Sequence, residues 1–170
     1  MQILNPLRPV LTGMCCLALG PGMMGIYGFF VEPLSKEFDV GVALLNVGPV
    51  ALLLVPAILG SWIGKMADQL PIRNILLIGV TLGMLSLMAI TAAPALWLVA
   101  LGFLSFSLGL TLYGPVVING LMVKLYSGRE ARALAIVAIG ISLASAILPP
   151  LVGTLLEHTS WRLALLSLAA

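Results

Sequence analysis

The side chains that could do chemistry in this chain are few, and those within its long apolar runs are uncharged. These groups can line a polar pathway or bond one helix to another. They do not supply a nucleophile with its base, so an intramembrane enzyme is not expected. The residues that we expect to be able to line a cavity are Tyr27, Asn46, Ser105, Tyr113, Asn119, Ser142 and Ser145.

Charged residues lie at the ends of the apolar runs and between them. One group is Lys65, Asp68 and Arg73, and another includes Arg129 and Arg132. A charge buried in a bilayer costs at least about 2.5 kcal/mol, so it is kept only where it has a task, such as proton or ion coupling. The sequence therefore predicts that this stretch carries no coupling group of its own.

Cysteine and histidine give no sign of a metal or redox site. Cys15 and Cys16 are adjacent within an apolar run, where small apolar side chains are the simpler interpretation. His158 stands alone among loop residues. No cofactor and no metal are expected.

Composition places the chain in a membrane. Of its 170 residues, 61% are hydrophobic and 8% charged, and the mean hydropathy is +1.20. A soluble domain carries about 25% charged residues. The net charge of +2 is small and scattered through loops, so nucleic acid is not an expected partner. The expected partner is the lipid bilayer.

Five apolar runs are each long enough to cross a bilayer, which takes about 20 residues in a helix. A last apolar run has only eight residues before the sequence ends, too few to span. The sequence predicts an all-α membrane protein with five complete helices and an incomplete sixth, at approximately 9–31, 42–63, 72–90, 96–125, 133–156 and 163–170.

Basic residues predict the orientation. An N-terminus in the cytoplasm puts six basic residues inside and only Lys36 and Arg162 outside, which the positive-inside rule favours. A multi-pass protein of a bacterial inner membrane is the expected location. The six inside residues are Arg8, Lys65, Arg73, Lys124, Arg129 and Arg132.

Glycine and proline predict where helices pack closely and where they bend. The pairs Gly60/Gly64 and Gly79/Gly83 have the spacing of close helix contacts. Gly114–Pro115 is expected to bend the fourth helix. Residues 64–73 are expected to form a polar hinge of about ten residues. Asp68 would then lie near the start of the third helix, where a carboxylate meets the positive end of the helix dipole.

The hinge resembles the signature loop between helices 2 and 3 of the major facilitator superfamily. That signature reads Gly-x-x-x-Asp-(Arg/Lys)-x-Gly-(Arg/Lys)-(Arg/Lys), and Gly64, Asp68 and Arg73 match its first, fifth and last positions. Gln69, Pro71 and Ile72 depart from it, and they are uncharged.

Residues 113–162 carry a second block of resemblance. Tyr113–Pro115, Arg129–Ala135, Pro149–Pro150 and Trp161–Arg162 look like helices 4 to 6 of that superfamily, closest to its monocarboxylate-transporter-like branch. The resemblance implies an N-terminal six-helix bundle, with the C-terminal half of the fold missing from this sequence.

The resemblance implies a secondary transporter that moves a small organic solute, such as a carboxylate, by alternating access. The partners it implies are that solute, the C-terminal half, and a proton or another coupling ion. Gly64, Asp68 and Arg73 would form a cytoplasmic latch. Tyr27 and Tyr113 would face the central pathway with Ser142 or Ser145 nearby, since transporter sites lie near the midplane at bent helices.

Two alternatives stay open at this point. The polar groups within the runs could instead bond neighbouring helices or lie at the membrane interface. The chain could also be a half-size or truncated membrane protein that acts as a dimer or assembly subunit, or that does not transport. The reading frame beyond Ala170 distinguishes this second alternative from the transporter.

Overall fold

The computed structural model describes residues 7–169, although the side chains of residues 21–23 and 169 fall outside that description. The predicted end of the sixth helix at Ala170 therefore lies outside the described residues. Every regular element in the described part is a helix. The helices are α1 Leu7–Phe38, α2 Val42–Leu45, α3 Val47–Gln69, α4 Ile72–Ala92, α5 Leu96–Tyr113, α6 Pro115–Leu125, α7 Glu130–His158 and α8 Trp161–Ala169.

Five of the helical stretches are long and apolar enough to cross a membrane, which confirms the all-α expectation. Two of them contain a break, because α2 and α3 together make the second stretch and α5 and α6 together make the fourth. They cover 7–38, 42–69, 72–92, 96–125 and 130–158.

The first helix is longer than the sequence predicted. It continues past position 31 to Phe38, because polar residues do not by themselves end a helix. The Lys36 Nζ atom lies 2.7 Å from Glu32 Oε1, one turn away, which suits an exposed last turn. The helix ends just before Asp39, whose φ of +49° is incompatible with a right-handed helix.

The ten-residue hinge is wrong, because α3 continues to Gln69 and only Leu70 and Pro71 separate it from α4. Leu70 is extended, with φ −103° and ψ 157°. Steric conflict with the following proline disfavours helical backbone at this position. The apolar run ends six residues earlier than the helix, and proline rather than polarity sets the boundary.

The predicted bend in the fourth helix is a complete break. Gly114 has an extended backbone, with φ −82° and ψ −167°. Pro115 begins α6 at a position where its missing N–H costs nothing. The second helix is also interrupted, at Asn46 between α2 and α3.

The helices pack as one bundle in which α1 lies along α7, α4 along α5, α3 against α5, and α8 against α4. α1 and α7 run parallel, since Met14 is near Gly140 and Phe29 near Gly153. We call the end with Asp68 and Lys124 the basic end and the opposite end the Trp161 end.

Candidate functional site

The first feature inside the bundle is a hydrogen bond from the Tyr27 hydroxyl to the Leu45 carbonyl, which lacks its helical donor because of a proline. Pro49 has no N–H, so it cannot donate to the carbonyl of Leu45 four residues earlier. Tyr27 on α1 donates its hydroxyl to that carbonyl, and its ring meets the edge of Phe103 at 5.3 Å between centroids. A side chain at Gly48 would collide with the Tyr27 hydroxyl. Tyr27 therefore fastens α1 to the break in the second span.

Ser107 plays the same part for a second proline. Pro56 leaves the carbonyl of Leu52 without its helical donor. The Ser107 hydroxyl on α5 lies 3.4 Å from that oxygen and 3.2 Å from the oxygen of Ala51, and Ser107 is fully buried. The sequence interpretation missed Ser107, although the proline four residues after Leu52 was a signal that a hydroxyl would be needed there.

A small cavity of about 170 Å³ lies between a proline inside α3 and the break that separates α5 from α6. Pro56 of α3 lies on one side, and Thr111, Gly114 and Pro115 lie on the other, where α5 gives way to α6. Pro115 also leaves the Thr111 carbonyl without a helical donor. The cavity therefore has a helix break and one backbone acceptor without a helical donor, and transporters use discontinuous helices for solute and ion sites.

A larger cavity of about 330 Å³ lies nearer the Trp161 end, between the second and fourth spans. Its walls are aliphatic and aromatic, and Tyr27 is the one hydroxyl-bearing residue among those that line it. Ala51, Val99 and Phe103 are among the lining residues. This space can hold an apolar group, and the Tyr27 hydroxyl is already bonded to Leu45.

Tyr113 is buried in the contact of three helices. Its ring lies 3.3 Å from the place where a side chain on Gly20 would begin, and 3.2 Å from the equivalent place on Gly79. Its hydroxyl is 3.6 Å from that of Gly83. Glycines of α1 and α4 thus make room for this ring, which lines neither of the two cavities just described.

The remaining predicted pathway residues do not meet at one point. Ser105 is half-buried on α5, and Asn46 is exposed at the break between α2 and α3. Asn119 is exposed on α6, and Ser142 and Ser145 are exposed on α7. Of the seven predicted pathway residues, the structure brings Tyr27 alone to a cavity wall described above. The pathway role of all seven stays a prediction.

At the basic end, Asp68 forms an ion pair with Lys124, a residue outside the predicted hinge. Its Oδ1 atom lies 2.6 Å from Lys124 Nζ of α6. Because Asp68 is in the last turn of α3, the expected contact with the positive end of the α4 dipole is wrong. A carboxylate there meets the negative end of its own helix, and the Lys124 ammonium offsets that repulsion.

The other latch residues are near this pair but do not join it. Gly64 lies beside Val116, and a Cβ at Gly64 would meet the valine at an ordinary 3.6 Å, so this contact does not require glycine. Arg73 is exposed in the first turn of α4. Of the two glycine pairs that we expected in close helix contacts, Gly79/Gly83 makes one, since a Cβ at Gly79 would lie 3.0 Å from the backbone oxygen of Gly109.

The basic connection before α7 is a capped turn. Arg129 donates its backbone N–H to the Tyr126 carbonyl at 2.8 Å, and Glu130 accepts from the backbone N–H of Gly128 at 2.7 Å. Arg129 and Arg132 are exposed, so both guanidinium groups are available to a headgroup or to another segment.

A sequence model of the family described as Major Facilitator Superfamily matches residues 12–170. The chain belongs to the major facilitator superfamily. It is accordingly a multi-pass membrane protein of a transporter family, and the members of that family are transporters rather than enzymes. No curated protein matches the chain significantly.

The superfamily match extends across all five spans and α8, so the cavities and the Asp68–Lys124 pair lie within matched sequence. It identifies the superfamily and not the monocarboxylate-transporter-like branch. Among the described residues of this superfamily member, histidine, cysteine and acidic side chains form no group that could hold a metal ion.

Proposed function

We propose that this chain is the N-terminal half of a secondary transporter that moves a small organic solute by alternating access. The observation that carries the proposal is the meeting of Pro56, a proline inside α3, with the helix break at Gly114–Pro115 around one cavity inside the bundle. Broken helices at such a point expose backbone acceptors to a solute and can flex as the halves rock.

The solute class that we propose is a carboxylate. Support comes from the basic pair Arg129 and Arg132 ahead of α7, the late prolines of α7 and the Trp161–Arg162 pair, which are similar to the monocarboxylate-transporter-like branch. The interiors of the spans carry no charged residue. We therefore propose that an anionic anchor, and any coupling group for a proton or another ion, belong to the C-terminal half; a protein without a coupling group would be a facilitator.

The proposed setting is a bacterial inner membrane with the N-terminus in the cytoplasm. Basic residues concentrate at the basic end, where the Lys65, Arg73, Arg129 and Arg132 side chains are exposed and Lys124 is paired with Asp68. The Trp161 end carries Lys36 and Arg162, and Arg162 is paired with Glu37. An excess of free positive charge at one end is the pattern of the cytoplasmic side.

The genetic test is the reading frame beyond codon 170. Six further spans with a second Gly-x-x-x-Asp loop support the transporter. A stop codon there supports the half-size alternative, a protein that works as a dimer or assembly subunit or does not transport. The functional test is uptake of radiolabelled lactate by proteoliposomes that contain the full-length protein, with empty liposomes as the control.

We also propose that the Asp68–Lys124 pair is the core of the cytoplasmic latch, with Gly64 and Arg73 beside it. Both side chains are more than half exposed, so the pair contributes only about 0–1 kcal/mol to folding. Asp68→Asn is therefore expected to leave membrane insertion and thermal stability unchanged while lowering lactate uptake.

The matched control is the charge-exchanged double variant, Asp68→Lys with Lys124→Asp. It keeps an ion pair between α3 and α6 but exchanges the two residues. It therefore tests whether uptake depends on the ion pair or on a particular residue at position 68 or 124. Recovery of uptake in the double variant supports a role for the pair itself. Uptake by Asp68→Asn equal to that of the unsubstituted protein contradicts the latch.

A further inference from the structure

Prolines within the spans create carbonyls that need a donor from outside their own helix. The second span has two such carbonyls, and both are covered within the bundle. Tyr27 donates to Leu45, and Ser107 lies 3.4 Å from the oxygen of Leu52. A carbonyl that lacks its helical donor needs another hydrogen-bond donor within the membrane, because lipid tails offer none.

The adjacent prolines of α7 produce a carbonyl that lacks both of its helical donors. The oxygen of Ala146 would accept from position 150 in an α-helix and from position 149 in a 3₁₀ turn. Both positions are proline, and prolines have no N–H. Ser145 differs, because Leu148 can still donate to its carbonyl in a 3₁₀ turn. Among the described residues, no side chain donates to the Ala146 oxygen.

Ala146 lies at membrane depth and on an open face of the bundle. Ala146 is near the middle of α7, which runs from Glu130 to His158, and it is exposed in the bundle. Ser142, one turn earlier on the same face, is exposed as well. An open acceptor at this depth is tolerated where it meets protein or water, and not where it meets lipid tails.

The exposed surface of α7 also offers a separate place for lipid. Large apolar side chains recur every four residues along one side of it, which forms a continuous hydrophobic stripe. Ala146 and Ser142 border this stripe, since each follows one of its members by three residues, which is about 60° around the helix. The stripe consists of Ile139, Leu143, Ile147 and Leu151, all exposed.

We propose that the Ala146 carbonyl lines the solute pathway and accepts a hydrogen bond from an O–H or N–H donor of the transported solute, with the Ser142 hydroxyl beside it. This inference rests on the proposed transport function and adds a site to it. The site is neutral, so it binds the donor end of the solute, such as a hydroxyl next to a carboxylate, while the anionic end binds elsewhere.

The first experiment measures water access at Ala146 without depending on transport. Ala146→Cys and Ser142→Cys are made in the full-length protein that also carries Cys15→Ala and Cys16→Ala, and are treated with a membrane-impermeant methanethiosulfonate reagent. We expect both cysteines to react. Ile147→Cys and Leu151→Cys on the lipid stripe are the matched controls and are expected to stay unreacted. Equal reaction at all four positions, or none at Ala146, overturns the proposal.

The second experiment gives the Ala146 carbonyl a hydrogen-bond donor within its own helix. Pro150→Ala returns the N–H that an α-helix would direct at the Ala146 carbonyl, whereas Pro149→Ala returns the one directed at Ser145. We expect Pro150→Ala to reduce lactate uptake by about fivefold to tenfold, the effect of one neutral hydrogen bond, and Pro149→Ala to change it much less. Both substitutions favour helix, so the folded protein is expected to persist.

The outcomes separate this site from the function on which it rests. Normal uptake by Pro150→Ala, or equal losses in both variants, overturns the acceptor role. A variant with the α-hydroxy-acid counterpart of alanine at position 150 lacks both the proline ring and the N–H, and its uptake should match that of the unsubstituted protein. Reaction at Ala146→Cys without any lactate uptake supports the water-lined face and contradicts only lactate as the solute.

Discussion

Tyr27 and Ser107 donate to carbonyls that belong to the second span, and proline is the reason that each carbonyl is free. The Tyr27 hydroxyl reaches Leu45, and the Ser107 hydroxyl reaches both Ala51 and Leu52. A buried polar group without a partner costs about 1–3 kcal/mol. The loss of either hydroxyl should therefore change the free energy of unfolding by a measurable amount.

The Tyr27 bond gives a prediction with a matched control on the same residue type. Tyr27→Phe removes the hydroxyl and leaves the Leu45 carbonyl uncovered, so we expect a loss of about 1–2 kcal/mol of unfolding free energy. Tyr113→Phe is the control, since the Tyr113 hydroxyl donates to no described residue, and a smaller loss is expected. Thermal unfolding in detergent micelles measures both. An equal loss in the two variants contradicts the assignment.

Ser107 can be tested against a neighbouring serine on the same helix. Ser107→Ala should lower the free energy of unfolding by about 0.6–2 kcal/mol, the range for interhelical hydrogen bonds in membranes. Ser105 is half-buried and donates to no described residue, so Ser105→Ala should change it by less than about 0.5 kcal/mol. Denaturant titration in mixed micelles compares them. A Ser105 effect larger than the Ser107 effect would refute this reading.

Among the helices, the contact of α4 with α5 is the closest and depends on glycine on both sides. A Cβ at Gly109 would lie 2.8 Å from the Gly79 oxygen and 2.9 Å from the Gly83 nitrogen. Both of these are backbone atoms, which cannot turn aside as a side chain could. The predicted role of the Gly79/Gly83 pair as a close contact is confirmed, and Gly109 is its partner.

Gly109→Ala is therefore expected to separate two helices rather than to disturb one side chain. The added methyl group should destabilise the bundle by about 1–3 kcal/mol. Gly120→Ala is the control on the same span, since a Cβ there meets nothing within 4 Å, and helix propensity predicts a gain of up to about 1 kcal/mol. The apparent melting temperatures in detergent should move in opposite directions. A harmless Gly109→Ala would show that this crossing is loose.

For the molecule as a whole, the Trp161 end is closed by a cluster that joins α1, α4 and α8. Glu37 of α1 lies 2.7 Å from Arg162 Nη2 and accepts from the indole of Trp161 at 2.5 Å. Arg162 also donates to the Ala93 carbonyl at 3.1 Å, at the end of α4. A single carboxylate thus binds both polar side chains at the start of α8, while Trp161, Ala164 and Leu165 are buried in the apolar core.

Removing that charge should loosen α8 before anything else. Glu37→Gln loses the ion pair with Arg162, which is about one-third exposed, and we expect about 0.5–2 kcal/mol less protection of α8. Glu157→Gln changes an exposed acidic residue with no ion pair among the described residues, and it serves as the control. Hydrogen–deuterium exchange of 161–169 provides the measurement. Exchange that is unchanged in Glu37→Gln would contradict the clamp.

The sequence by itself determined the class of the protein, the number of spans and the position, at Gly114–Pro115, where the fourth span is interrupted. These follow from local rules, since about 20 apolar residues cross a bilayer and proline removes a helical donor wherever it occurs. The same rules show that Ala146 lacks both helical donors.

Only the tertiary structure decided which groups meet. Asp68 pairs with Lys124, 56 positions away, and Ser107 reaches Ala51 at the same separation. Tyr113 is buried among glycines of α1 and α4. A tyrosine in this part of the sequence is equally compatible with a position that lines a solute pathway. Such contacts depend on how helices cross. The angle and register at which two helices cross depend on the packing surfaces of both helices. The residue pattern of one helix alone therefore does not predict which residues meet.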